Sequence, residues 1–149
     1  MTIRDIKKNK RGFLPLLLLA DEQESMIERY IHRGRMFILE EDDTTLGLIV
    51  VTDEGKGILE IKNLAVQQGA QRKGYGQQLI QFIEENFKND YYILQVGTGD
   101  SPLTIPFYEK CGFERFKVLE NFFLAHYDQP IYEAGKQLKD MVYLQKSIK

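Results

Sequence analysis

The chain has 149 residues, 43% of them hydrophobic and 11% aromatic, which suits one domain with ample apolar material for a core. A formal net charge of −2 supplies no basic field to recruit nucleic acid. One cysteine, Cys111, excludes an intramolecular disulfide, and two histidines give no ligand cluster at zinc spacing, so no metal is expected.

The N-terminus shows no charged start, apolar core and small-residue cleavage site in that order, and the apolar run from Phe13 to Ala20 is far shorter than a bilayer requires. A cytoplasmic protein without a membrane partner is expected. Residues 2–7 read as a short first strand. The basic run Lys7 to Arg11 reads as a solvated loop, with contact to an anionic ligand as the alternative. Leu14 to Ala20 suggests a short buried helix that tolerates Pro15 in its first turn. Asp21 and Glu24 are spaced as a capping pair for a second helix, whose stripe is Met26, Ile27, Tyr30 and Ile31 and whose stop is Gly34. His32 reads as a surface residue.

Residues 36–40 and 46–51 read as strands about a turn from Glu41 to Thr45, and a third strand follows Gly57, so an antiparallel meander is expected. Asp42 and Asp43 read as solvated turn residues. In the strand Ile58 to Val66, strict alternation puts Ile58, Glu60, Lys62, Leu64 and Val66 on one face and Leu59, Ile61, Asn63 and Ala65 on the other. A mid-strand carboxylate such as Glu60 is either paired, with Lys62 the nearest partner, or open to a wet cleft.

The next stretch, Q-Q-G-A-Q-R-K-G-Y-G, carries three glycines before Leu79, Ile80, Phe82, Ile83 and Phe87 recur at helical spacing. A glycine turn leading into a helix can hold an anion on unpaired N–H groups at the positive end of the helix dipole. Tyr91 to Val96 reads as a strand covered on both faces, parallel to the one before the helix through a right-handed crossover. Gly97 to Pro102 reads as a flexible turn. A helix within 102–111 fits best with Thr104 as cap and Pro106 in its first turn. Tyr108 on that helix is either a core tyrosine or a proton donor near the strand ends, and Cys111 reads as a small buried filler. Phe113 to Leu119 and Leu138 to Leu144 read as hairpin partners. The segment between them, Glu120 to Gln137, is long for a hairpin loop; its mixture of Asn121, Phe122, Phe123, His126, Tyr127, Asp128, Tyr132 and Glu133 suits acceptor recognition, or part of it extends the two strands.

Two stretches carry a family resemblance. Gln71 to Gly76, Q-R-K-G-Y-G, matches the Q/R-x-x-G-x-G/A signature of the GCN5-related N-acetyltransferases, and Phe107 to Phe113, F-Y-E-K-C-G-F, resembles that family's Y-E-K-x-G-F element downstream. Together they cover roughly residues 57–119. The resemblance implies a single α+β domain over 1–149, with a mixed, mostly antiparallel sheet of six or seven strands, a central parallel pair and helices on both faces. It implies acetyl-coenzyme A as co-substrate, no metal, a small-molecule amine as acceptor, and room for a homodimer. Gln71, Arg72, Lys73, Gly74, Tyr75 and Gly76 would bind pyrophosphate, and the backbone of Leu64, Ala65 and Val66 would hold pantetheine. Tyr108 would be the acid for the leaving thiolate. Glu60, at the offset from Ala65 used by the histone-modifying branch, would be the base directly or through water. The family's asparagine after the second parallel strand is missing; Asp100 and Ser101 occupy the region and are the candidates for that contact. The rival readings are acylation of a protein amine, transfer of another acyl group, or a non-catalytic acetyl-coenzyme A-binding module. A nucleotide-binding phosphate loop would need Ser or Thr after its lysine, and Lys73 is followed by Gly74.

Overall fold

The computed structural model describes all residues, Met1–Lys149. In chain order the elements are β1 (Thr2–Ile6), α1 (Leu14–Ala20), α2 (Glu24–Glu28), β2 (Arg35–Glu41), β3 (Thr44–Asp53), β4 (Ile58–Val66), α3 (Tyr75–Phe87), β5 (Ile93–Gly99), α4 (Ile105–Lys110), β6 (Glu114–Leu119), α5 (Phe122–His126), β7 (Tyr132–Glu133), β8 (Lys136–Gln137) and β9 (Met141–Ser147). Seven strands form one sheet in the order β1-β2-β3-β4-β5-β9-β6, in which only β4 and β5 run parallel. This is the expected α+β sheet. No helix is long and apolar enough to cross a membrane.

Helices cover both faces. The helical period in α3 buries Leu79, Ile80, Ile83 and Phe87 against Phe37, Ile49, Leu59 and Leu94. Each such aliphatic side chain contributes roughly 1.5–3 kcal/mol on leaving water, so this stripe anchors α3 and holds its N-terminus in place. The other face is covered by α1, α2 and the turn after α2, whose Leu16, Leu17, Ile27 and Ile31 pack on Ile38, Leu48 and Val50.

The capping pair at Asp21 does not form. Helix α2 starts at Glu24 after Gln23, and no side chain caps it. Burial beside two tyrosines draws the Asp21 carboxylate elsewhere: it accepts from the Tyr30 and Tyr127 hydroxyls. Gly34 closes the segment as expected, its N–H donating to Tyr30 O at 2.9 Å. The basic run is fastened to protein. Lys10 Nζ donates to Ile31 O and Gly34 O, and Arg11 pairs with Glu24 and Glu28.

The turn between β2 and β3 is tighter than the five residues read from sequence. Asp42 and Asp43 both have positive φ, at 50° and 64°, the geometry of a two-residue hairpin whose twist matches its strands. Strict alternation along β4 also fails. Val50 pairs with Asn63 but Val51 pairs with Ile61, so Lys62 is an extra, bulged residue. The phase reverses there: Leu59, Ile61 and Leu64 pack on the α3 side, whereas Asn63 and Ala65 face α1.

Strand β5 begins later and runs further than residues 91–96. It pairs with β4 only from Ile58↔Ile93 to Ile61↔Val96, then continues beside β9 to Gly99↔Met141. The last part of β4, from the bulge at Lys62 to Val66, therefore has no partner on its β5 side. The partner of β6 is Met141–Ser147, shifted from the expected 138–144, and β9 inserts between β5 and β6. Residues 120–137 do not extend those strands. They form α5 and the small β7–β8 hairpin, closed by Ala134 and Gly135 at positive φ, around a core of Phe123, Ile131 and Leu138. Phe123 is buried, whereas Leu124 beside it is exposed.

Candidate active site

Where β4 and β5 part, a cleft of about 430 Å³ opens, a size that fits part of a small ligand. Its walls include Lys62, Asn63, Leu64, Ala65 and Val66 of β4, Val96 to Gly99 of β5, and Tyr108 of α4. A Cβ on Gly97 would fall 2.7 Å from Met141 Sδ and 2.9 Å from Tyr143 Cζ, so glycine lets β9 side chains reach this wall.

The glycine turn borders the cleft through Gln71, whose Nε2 donates to Val66 O at 3.2 Å. Arg72 and Gly74 both take left-handed backbone, with φ of 65° and 83°, which turns the chain sharply into α3. The first bond of α3 is Gln78 N–H to Gly74 O at 3.0 Å, so the amides of Tyr75, Gly76 and Gln77 have no acceptor in the helix. With the dipole of a 13-residue helix behind them, they suit a phosphate. Gly76 packs against Phe107, and the Arg72 and Lys73 side chains are exposed.

Tyr108 is only 7% exposed, and its ring packs edge-on against Phe107 and Phe113. Burial foremost, then the nearby Cys111 and Glu133, push its phenol well above the usual tyrosine range, so it stays protonated and able to donate. Thr104 does precede α4, and Pro106 does lie in its first turn, but the Thr104 hydroxyl meets Thr98 Oγ1 at 2.8 Å instead of capping an N–H. Cys111 is half-buried behind α4, where burial pushes its thiol up.

Glu60 is 4% exposed and paired, as one of its two readings required. Its Oε2 meets Lys62 Nζ at 2.6 Å and accepts from Tyr143 at 3.4 Å, while Oε1 accepts from Gln95 at 2.6 Å. It borders a second hollow with Tyr30, Arg29, Arg33, Tyr127 and Tyr143; Lys62, Asp21 and Gly97 line both spaces. Asp100 and Ser101 lie outside this cleft. Asp100 pairs with Lys136 at 3.4 Å, and buried Ser101 accepts from Leu103 N–H at 3.1 Å. His126 stacks on Phe122 at the surface and His32 lies beside Glu28, so neither histidine reaches the cleft.

Three groups that sequence reasoning did not single out as site residues stand in the cleft: Asp21, Asn63 and Glu133. Asn63 carried the clearest signal, an amide on a strand face otherwise made of Leu59, Ile61 and Ala65. Asp21 read as a helix cap, and Glu133 was one polar residue in a long segment. Tyr127 joins Asp21 across the opening, so α5 and the β7–β8 hairpin close the side of the cleft facing α1.

A sequence profile of the acetyltransferase (GNAT) domain matches residues 32–115. The uncharacterized N-acetyltransferase YvbK of Bacillus subtilis is 37% identical over 131 residues, 87% of this chain and 84% of the relative. A GNAT family acetyltransferase of Elizabethkingia anophelis, solved with acetyl-CoA bound, superposes with a TM-score of 0.92 at 32% identity over 98% of this chain and 97% of its own. An acetyltransferase of Bacillus subtilis in complex with CoA gives 0.88 at 34% identity, covering 97% of each chain. The chain belongs to the GNAT family of acetyltransferases.

Proposed function

We propose that this enzyme moves the acetyl group of acetyl-coenzyme A to the primary amine of a small molecule by direct attack, without a covalent enzyme intermediate. One observation carries the reading: a buried, protonated phenol, Tyr108, lines the cleft formed where β4 and β5 diverge, beside a helix start that offers free amides. The unpaired edge of β4 from Leu64 to Val66 suits the amides of a pantetheine arm, which would add to it as a strand does. The turn from Gln71 to Gly76 suits the diphosphate.

In the proposed reaction an ammonium loses one proton to solvent and the free amine attacks the thioester carbonyl. The C–N bond forms, the C–S bond breaks, and Tyr108 donates its proton to the departing thiolate. The phenolate, costly in its buried site, recovers a proton from the new N–H₂⁺ group, so the net products are an amide, free thiol and one proton. Both Glu60 oxygens are occupied by Lys62, Gln95 and Tyr143, so its part in removing the first proton runs through water. A small acceptor is favoured because Phe123, Tyr127 and Ile131 wall one side of the cleft, where a polypeptide would need a groove open along its length.

Release of coenzyme A thiol over a panel of primary amines tests the reading. Tyr108→Phe should lower kcat by about 10²-fold or more while leaving acetyl-coenzyme A affinity unchanged by calorimetry. Normal turnover in that variant would refute the acid role, and absence of acetyl-coenzyme A binding to the wild type would refute the whole reading.

A further inference from the structure

Only two buried side-chain polar atoms in the molecule lack a hydrogen bond: Asn63 Oδ1 and Glu133 Oε2. Both are acceptors, and both residues line the same cleft, one from β4 and the other from the β7–β8 hairpin. A buried acceptor left without a donor costs roughly 1–3 kcal/mol, more for a charged group, so two in one cleft point to donors that arrive with a ligand.

The direction of the Asn63 amide is fixed by its neighbours. Tyr30 donates its hydroxyl proton to Asp21 at 3.0 Å, and can therefore only accept from Asn63 Nδ2, also at 3.0 Å. The second Nδ2 proton goes to Leu17 O at 3.0 Å. With both donors committed and the residue 3% exposed, Oδ1 is the one atom Asn63 has left to offer. Asp21 differs, because its two oxygens are taken by Tyr30 and Tyr127. Lys62 is the one cation lining the hollow that holds Glu133, and it is held by Glu60 at 2.6 Å and leaves Glu133 without a partner; Arg29 and Arg33 line the adjoining hollow instead.

We infer that Glu133 and Asn63 form the acceptor subsite, Glu133 holding the ammonium to be acetylated and Asn63 Oδ1 taking a second N–H or O–H donor of the same molecule. This deepens the transferase reading and rests on it for the identity of the cleft. The acceptor class is then a small aliphatic amine with a further donor group and no carboxylate, such as a diamine or an amino alcohol. Glu133 and Tyr108 line the same cleft, which puts the held ammonium on the side where the thioester is to react.

Calorimetric titration of 1,4-diaminobutane into the protein saturated with coenzyme A reads the subsite independently of turnover. The wild type is expected to bind it, and Glu133→Gln to weaken that binding about tenfold or more, with acetyl-coenzyme A affinity changed less than about twofold. Glu133→Lys, a charge reversal at a half-buried residue outside the apolar clusters, should abolish diamine binding and favour an amine bearing a carboxylate, such as glycine. Equal diamine affinity in wild type and Glu133→Gln, or a wild type that prefers glycine, overturns the subsite. Thiol release assayed in parallel reports on transfer alone: Glu133-dependent binding without any thiol release would leave the subsite standing and sink the transferase reading.

Discussion

Asp21, at the end of α1, accepts the hydroxyl of Tyr127 at 2.6 Å across 106 residues of chain. The bond fastens the segment after β6 to the N-terminal helices, and with it the side of the cleft that carries Glu133. Tyr127→Phe removes this donor and leaves the stacking on Phe123 in place. A bond to a charged acceptor of this kind contributes about 1.5–3 kcal/mol. The urea midpoint should fall accordingly, and amide exchange should rise across α5 and the β7–β8 hairpin while α3 keeps its protection. An equal rise in α3 would show that the bond does not act locally.

The same carboxylate makes stability depend on pH. Burial lifts Asp21 above its ordinary 3.8, against the opposing pull of the Tyr127 and Tyr30 hydroxyls and of Arg29. The folded chain then binds this proton more readily than the unfolded one, so the contribution is greatest below 3.8 and is lost as pH rises through the raised folded value. Asp21→Asn cannot titrate. Its denaturation midpoint should gain on the wild type as pH goes from acid toward neutrality, and a constant difference between the two would contradict the assignment.

Lys62 is the bulged residue of β4, and its ammonium neutralises a carboxylate that is almost fully buried. Removing it leaves Glu60 charged with only the Gln95 and Tyr143 donors. Lys62→Met should therefore cost about 2–4 kcal/mol, below the upper end for a broken buried pair because those donors remain. The double change Lys62→Met with Glu60→Gln should recover much of the loss, since no unpaired charge is then buried. A thermal or urea comparison of the single and double variants reads the difference directly.

How much of this could be read from the chain depends on how local the information is. The span of β4, the stripe of α3, Pro106 in the first turn of α4 and the glycine turn were legible because each follows from neighbours three or four residues apart. The bulge at Lys62 was not, because it is a register between β3 and β4 and leaves no mark on the alternation of β4 alone. The insertion of β9 between β5 and β6 and the fate of residues 120–137 were hidden for the same reason: both depend on contacts made by distant strands. Asp21 had all the local features of a helix cap, yet two tyrosines, one of them far along the chain, offered it better donors. In the site, Tyr108 and the 71–76 turn lay in recognisable motifs. Asn63 and Glu133 acquire meaning only when the hydrogen bonds around them have been counted.

Gly74 tests the proposed phosphate end of the cleft most cleanly. Its φ of 83° is left-handed, and a Cβ there would meet nothing within 4 Å, so any effect of Gly74→Ala comes from backbone strain alone. That strain is about 1–2 kcal/mol for an ordinary L-residue. The chain can relieve it by rotating the turn, which would swing the free amides of Tyr75, Gly76 and Gln77 off the diphosphate position. Gly74→Ala should therefore weaken acetyl-coenzyme A binding by about tenfold in calorimetry, each tenfold step being about 1.4 kcal/mol. Gly74→Asn should retain most of the affinity, because asparagine tolerates this region far better than alanine. Gly76→Ala is the contrasting case. Its φ is ordinary, but its Cβ would come within 3.2 Å of Phe107 Cζ, so the change acts through packing between α3 and α4. If Gly74→Ala and Gly74→Asn bound acetyl-coenzyme A equally well, the left-handed turn would have no part in gripping the diphosphate.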